Sequence, residues 1–236
     1  MKQTKRKHIG IIGGVGPQAT LELYRFIILY AERDYSAKNN DDYPDLLIRS
    51  LPIPDFISST DQLDIAKQML IKTTSELAQT SPLCICIASN TVHLLLNTLQ
   101  QTTKISFLSM IDLVVEETIR RGIKKVGVLG TSVSIQKNIY SIPLKQNGIT
   151  CIIPTSSEIV TLDNVIRNII AGEGVGKYRG EYIEIVDNLF KQGAEAIILG
   201  CTELPMAINY EAVAPRMINS MEVLAKGIVK SYYEQN

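Results

Sequence analysis

Two short segments hold most of the side chains in this sequence that could do chemistry: Gly200-Cys201-Thr202-Glu203-Leu204-Pro205 and Ser89-Asn90-Thr91-Val92-His93. The chain has two histidines, His8 and His93, and four cysteines. Proton transfer near neutral pH must therefore use an imidazole, a thiol or a carboxylate. Cys201 lies where an apolar run ends and a helix is expected to begin. Neighbouring amides and a helix N-terminus lower a thiol from about 8.5 toward the operating pH. That makes Cys201 a candidate thiolate base or nucleophile, with Glu203 able to orient or repel it. In the other segment Asn90 and Thr91 offer donors to a carboxylate, and His93 falls about one helical turn beyond Ser89. The spacing alone would permit a Ser–His dyad, but no Gly-x-Ser-x-Gly elbow surrounds Ser89. Cys84, Cys86 and Cys151 sit inside apolar runs and read as small core residues. With no C-x-x-C pair, neither a disulfide nor a metal site is expected.

A third segment, Gly14-Val15-Gly16-Pro17-Gln18-Ala19, fits G-x-G-x-x-A between an expected strand and an expected helix. The next strand, over 45–51, does not end in the acidic residue that would take a ribose hydroxyl, and Pro17 removes an amide that a phosphate would use. A nicotinamide reading is therefore weak. The segment is read instead as a helix N-terminus that receives a smaller anion, such as a substrate carboxylate, at Gly14, Val15 and Gly16.

The elements that must hold these segments alternate between short Ile/Val-rich runs and longer amphipathic stretches. Strands are expected over 8–12, 45–51 and 83–88, with a further apolar run over 105–109. Helices are expected over 18–33, 62–79, 91–101, 112–121 and 221–233. Thr60 and Asp61 are candidate caps for the second helix, and Gly122 is a stop for the fourth. This is βαβ rhythm and predicts parallel sheets. The pattern then recurs. Residues 6–13 resemble residues 123–130, and residues 83–93 resemble residues 196–206, at spacings that agree to within a loop.

The fold expected is α/β: two similar open parallel-sheet, Rossmann-like domains related by a pseudo-twofold axis. Residues 1–111, rejoined by 212–236, form the first domain and residues 112–211 the second. Ligands bind beyond the carboxyl ends of strands in such sheets, so the loops at 13–17, 89–91, 130–132 and 200–203 should meet at an interdomain cleft.

The 236 residues are 45% hydrophobic and 20% charged, with 24 Lys+Arg against 24 Asp+Glu. That is an ordinary globular composition without a steering field. Nucleic-acid and membrane partners are not expected. No apolar run approaches the length of a spanning helix, and a cytoplasmic protein is expected.

Several motifs together carry a family resemblance: Gly13-Gly14-Val15-Gly16-Pro17, Pro52-Ile53-Pro54-Asp55, Asn90-Thr91-Val92-His93, Ser109-Met110-Ile111, Gly130-Thr131, Gly200-Cys201-Thr202-Glu203 and Asn219-Ser220-Met221-Glu222. Over almost the whole chain the sequence resembles the pyridoxal-independent aspartate/glutamate racemases. The Glu203 form is closer to aspartate racemases than to glutamate racemases, which have histidine at that place. The resemblance implies a cofactor-independent two-base mechanism in which one cysteine takes the α-proton and another, across the cleft, returns a proton to the opposite face. It implies an amino-acid substrate, aspartate or glutamate, and a homodimer. Charge building on the substrate carboxylate needs preorganised donors, for which Asn90, Thr91, Thr131 and Thr202 are the candidates. Asp55, His93 and Glu203 are supporting residues.

Three positions depart from the family pattern. Ser89 stands where the family has its first cysteine, and a serine hydroxyl without a partner base is a far weaker acid–base group. Phe56 stands where an arginine usually binds the distal carboxylate, leaving Lys177 or Arg179, in the Gly-rich stretch 172–180, to supply that charge. Asn219 replaces a common aspartate. The function expected is an amino-acid racemase, impaired or altered at Ser89. The alternatives are a one-cysteine decarboxylase or isomerase of the same superfamily, and a non-catalytic carboxylate-binding protein.

Overall fold

Apolar runs without alternation become strands covered on both faces. The computed structural model describes residues 7–54, 61–174, 176–207 and 214–235. In it β1 (Ile9–Gly13) is buried at every position, as a parallel strand between helical layers must be. β1 runs parallel to β2 (Leu46–Ser50) and β3 (Ile85–Ile87), and β3 to β4 (Phe107–Leu108), in the order β2-β1-β3-β4. β5 (Lys125–Leu129), β6 (Thr150–Ile152), β7 (Ala196–Leu199) and β8 (Met217–Asn219) repeat that arrangement as β6-β5-β7-β8. The register repeats as well: Gly10 pairs with Ile85 in one sheet and Gly127 with Ile197 in the other. The protein is thus α/β, with two parallel sheets of the same topology flanked by helices.

α1 (Pro17–Tyr35) opens on a proline, whose missing N–H costs nothing in a first turn. Its buried stripe of Ala19, Leu23, Ile27, Tyr30 and Ala31 follows helical spacing. The stripe packs on α9 (Ser220–Gln235) through Leu224, Ile228 and Tyr232 in a single cluster. β8 belongs to the second sheet, so the crossing back to the first half begins with α9 at Ser220.

α2 (Leu63–Gln79) starts after Gln62, which makes no side-chain cap bond; of the two expected caps, Thr60 lies outside the described residues. α4 (Met110–Arg120) is capped by the Ser109 hydroxyl, which accepts the Asp112 N–H at 3.2 Å. The chain turns away at Gly122, φ +70°.

The helix expected over 91–101 is split into a 3-10 turn (Thr91–Leu95) and the short α3 (Leu96–Gln100). The cause is local. The His93 ring donates to the Ser89 carbonyl, the acceptor an α-turn would have given to the His93 amide, and that amide bonds Asn90 instead. A side chain that competes for the backbone acceptor tightens the turn.

Beyond α5 (Ser132–Gln136) and α6 (Ser141–Gln146) come two helices that the sequence reading did not assign, α7 (Ser156–Ile170) and α8 (Arg179–Lys191). A capping box starts α7, with the Thr155 N–H donating to Glu158 Oε2 at 2.8 Å. No helix among the described residues is long and apolar enough to cross a membrane.

Candidate active site

Ser89 is the second residue past the end of β3, and Cys201 the second past the end of β7. These are matching strands of the two sheets. Both residues line a single cavity of ≈ 220 Å³ whose walls come from both halves. Gly14, Val15, Gly16 and Pro17 enter from the β1–α1 turn, Asn90 and Thr91 from beyond β3, Thr131 from beyond β5, and Thr202 and Glu203 from beyond β7.

The floor is joined by polar contacts between the halves. The Thr91 and Thr131 hydroxyls lie 3.3 Å apart, and Thr131 also caps α5 by accepting the Ser134 N–H. Asn90 accepts the Tyr140 hydroxyl and donates one amide N–H to Ser220 Oγ at 3.0 Å. Ser220 in turn donates to the Leu199 carbonyl. Thr91, Thr131, Asn90, Tyr140 and Ser220 are all buried, which makes their satisfaction obligatory, and this network uses one of the two Asn90 amide N–H groups.

Cys201 is 6% exposed, and its Sγ donates to Glu203 Oε2 at 3.0 Å. Thr202 Oγ1 donates to the same oxygen at 2.7 Å, so this hydroxyl serves Glu203 and is not directed at a substrate. Burial pushes the Cys201 thiol well above its ordinary pKa; the Glu203 carboxylate adds to this as a neighbouring charge and as the S–H acceptor, and the Glu203 backbone N–H opposes it. The expectation of a thiol lowered by local amides is therefore corrected: desolvation and a like charge outweigh them, and Cys201 rests as a protonated thiol. A Cβ on Gly16 would lie 2.8 Å from Glu203 Oε1, so glycine is what allows the β1–α1 turn to close over that carboxylate.

In the same turn Gly14 has φ +85°, and an added Cβ would collide with the Leu51 backbone. The Gly14 N–H donates to Thr20 Oγ1 at 2.8 Å and is thus not available to an anion. Among the described residues, the Val15 and Gly16 amides are unpaired and belong to residues that line the cavity at the head of α1.

A sequence model of the Asp/Glu/hydantoin racemase family matches residues 12–228. This chain belongs to that racemase family. The broad specificity amino-acid racemase RacX of Bacillus subtilis is 29% identical over 230 residues, 95% of this chain and 97% of that protein. Among solved structures, an aspartate racemase homologue from Pyrococcus horikoshii is 30% identical with a TM-score of 0.77, covering 95% of this chain and 98% of that one. The Picrophilus torridus aspartate racemase is 25% identical with a TM-score of 0.81 over 96% and 94%.

On this racemase framework no base among the described residues is hydrogen-bonded to the Ser89 hydroxyl. The Ser89 carbonyl only accepts, so His93 Nδ1 carries the proton that bridges them at 2.7 Å, and Nε2 accepts the Met110 N–H at 3.1 Å. Both ring nitrogens serve the backbone, which removes the Ser–His dyad. Burial lowers this imidazole from 6.5 to about 4. A group whose folded pKa is depressed in this way takes up a proton first in the unfolded chain. Its stabilisation is complete above pH 6.5 and is lost as the pH falls toward 4. Urea unfolding at pH 7.5 and 4.5 should show wild type losing about 2–3 kcal/mol more than His93→Gln; equal losses would contradict the neutral, bridging imidazole.

The other cysteines do not reach the cleft. Cys84 and Cys86 lie in the core beside α1 and α9; burial pushes Cys84 to about 11, and Cys86 donates to the Gly10 carbonyl. Lys177 and Arg179 are exposed and line no part of the cleft, Lys177 lying over the Tyr178 ring. They are corrected as ligands of a distal carboxylate, because both side chains are exposed at the turn that leads into α8 and neither reaches the cavity wall. Asp55 and Phe56 lie outside the described residues. Sequence reasoning missed Ile166 and Ile170, which α7 places in the wall. The Thr155–Glu158 box followed by Leu162, Val165, Ile166 and Ile169 was the signal that could have located that helix.

Proposed function

We propose that this chain is a cofactor-independent enzyme of amino-acid α-proton transfer, in which Cys201 works one face of the α-carbon and Ser89 leaves the other without a comparable acid or base. The observation that carries the proposal is the placement of Ser89 and Cys201 at equivalent positions beyond equivalent strands, both in the wall of one cleft. The substrate carboxylate is received by the Val15 and Gly16 amides at the head of α1 and by the second amide N–H of Asn90, with Thr91 and Thr131 beside it.

Cys201 passes its S–H proton to Glu203 Oε2 as Sγ takes the α-proton. The C–H electron pair moves onto the carboxylate, and reversal of the two transfers restores the substrate. In deuterated solvent the proton that Sγ has taken from carbon exchanges with solvent before the transfers reverse, and the thiol then returns deuterium to the face the proton came from. Incubating L- and D-amino acids in D2O should therefore give α-deuteration of one enantiomer with little inversion, followed by mass spectrometry and chiral chromatography. Equal inversion of both enantiomers would overturn the one-sided assignment.

A second reading, decarboxylation of a malonate-type acid, is favoured by the resting protonation of Cys201, since a thiol is ready to protonate a carbanion. Carbon dioxide release without α-exchange would select it. Thermal stabilisation by an amino acid without either reaction would select a carboxylate-binding protein.

A further inference from the structure

We propose that the side chain accepted by this cleft is neutral and apolar, of valine to leucine size, and that Ile166 and Ile170 on α7 set the preference together with Ile53. The proposal rests on the amino-acid reading above and gives it a substrate class.

Apart from the groups that receive the carboxylate, the apolar wall includes the Val15 side chain with Pro17, Ile53, Pro54, Ile166 and Ile170. Ile166 and Ile170 are four residues apart and share one face of α7, forming an aliphatic ledge opposite the β1–α1 turn. Among the described residues lining the cleft, Glu203 is the charged one, and no lysine or arginine joins it. The internal stretches 55–60 and 208–213 contain no lysine or arginine in sequence either. Aspartate or glutamate would bring a second carboxylate against apolar walls and the Glu203 carboxylate with no cation to meet it, which is the unfavourable way to bury a charge. An aliphatic side chain meets matching walls. The cavity of ≈ 220 Å³ is many times the roughly 10–15 Å³ that holds a single water, room for a small amino acid.

The test is α-hydrogen exchange in D2O for both enantiomers of valine, leucine, aspartate and glutamate with the full chain. Leucine or valine should exceed aspartate and glutamate in kcat/KM by about tenfold or more. Ile170 is only partly buried, so Ile170→Lys can keep its ammonium near solvent; this variant, checked for native circular dichroism, should shift the preference toward aspartate. Wild type that exchanges aspartate or glutamate as fast as leucine overturns the inference and leaves the proton-transfer reading standing. If no amino acid exchanges, that reading fails, and thermal shifts decide the inference alone: stabilisation by leucine but not aspartate supports it, and stabilisation by aspartate, or by neither, overturns it.

Discussion

Ser89→Cys should raise the rate of amino-acid racemisation by about 100- to 10,000-fold, the usual worth of a positioned acid–base group. The argument is one of place and of acidity. Ser89 and Cys201 stand at the same step beyond matching strands and share one cleft. The turn that presents Ser89 is held through its backbone carbonyl by His93, so exchanging oxygen for sulfur leaves the scaffold intact. A hydroxyl with no base beside it stays protonated and returns no proton to a carbanion on demand, whereas a thiol has an accessible second state. Chiral chromatography over time reads the outcome. An unchanged rate of inversion, with the variant folded, would mean that residue 89 does not face the α-carbon.

Cys201→Ala should lower α-deuteration by about a thousandfold or more, because it removes the group through which the proton leaves the carbon. Cys201 is buried among Leu199, Leu204 and Tyr182, so circular dichroism and ligand-induced thermal stabilisation must accompany the rate. Retained stabilisation with lost exchange separates chemistry from folding. Exchange that persists in the alanine variant would remove Cys201 from the reaction and leave its buried thiol a packing residue.

The duplication was legible in sequence because matching glycine turns and matching strand ends recur at spacings that agree to within a loop. It placed Ser89 and Cys201 correctly relative to their strands. The protonation state of Cys201 was not legible. Local amides argued for a lowered thiol, but burial in the core of the second half and the Glu203 carboxylate two residues away decide it the other way. His93 shows a similar limit: four-residue spacing found the right neighbour and the wrong atom, the Ser89 carbonyl in place of its hydroxyl. Lys177 and Arg179 were attractive by charge alone, and nothing short of tertiary packing could show them exposed and outside the cavity lining. α7 was overlooked although its start signal is written in Thr155 and Glu158. The aliphatic ledge it contributes therefore came from the structure.

Asn90 ties the two lobes at their base through Tyr140 and Ser220, while at the rim Gln18 Nε2 reaches the Ile170 carbonyl over 3.5 Å. Among the described residues, the mouth between α1 and α7 is thus bridged by a contact at the long limit of a hydrogen bond, while the base is held by the buried bonds of Asn90.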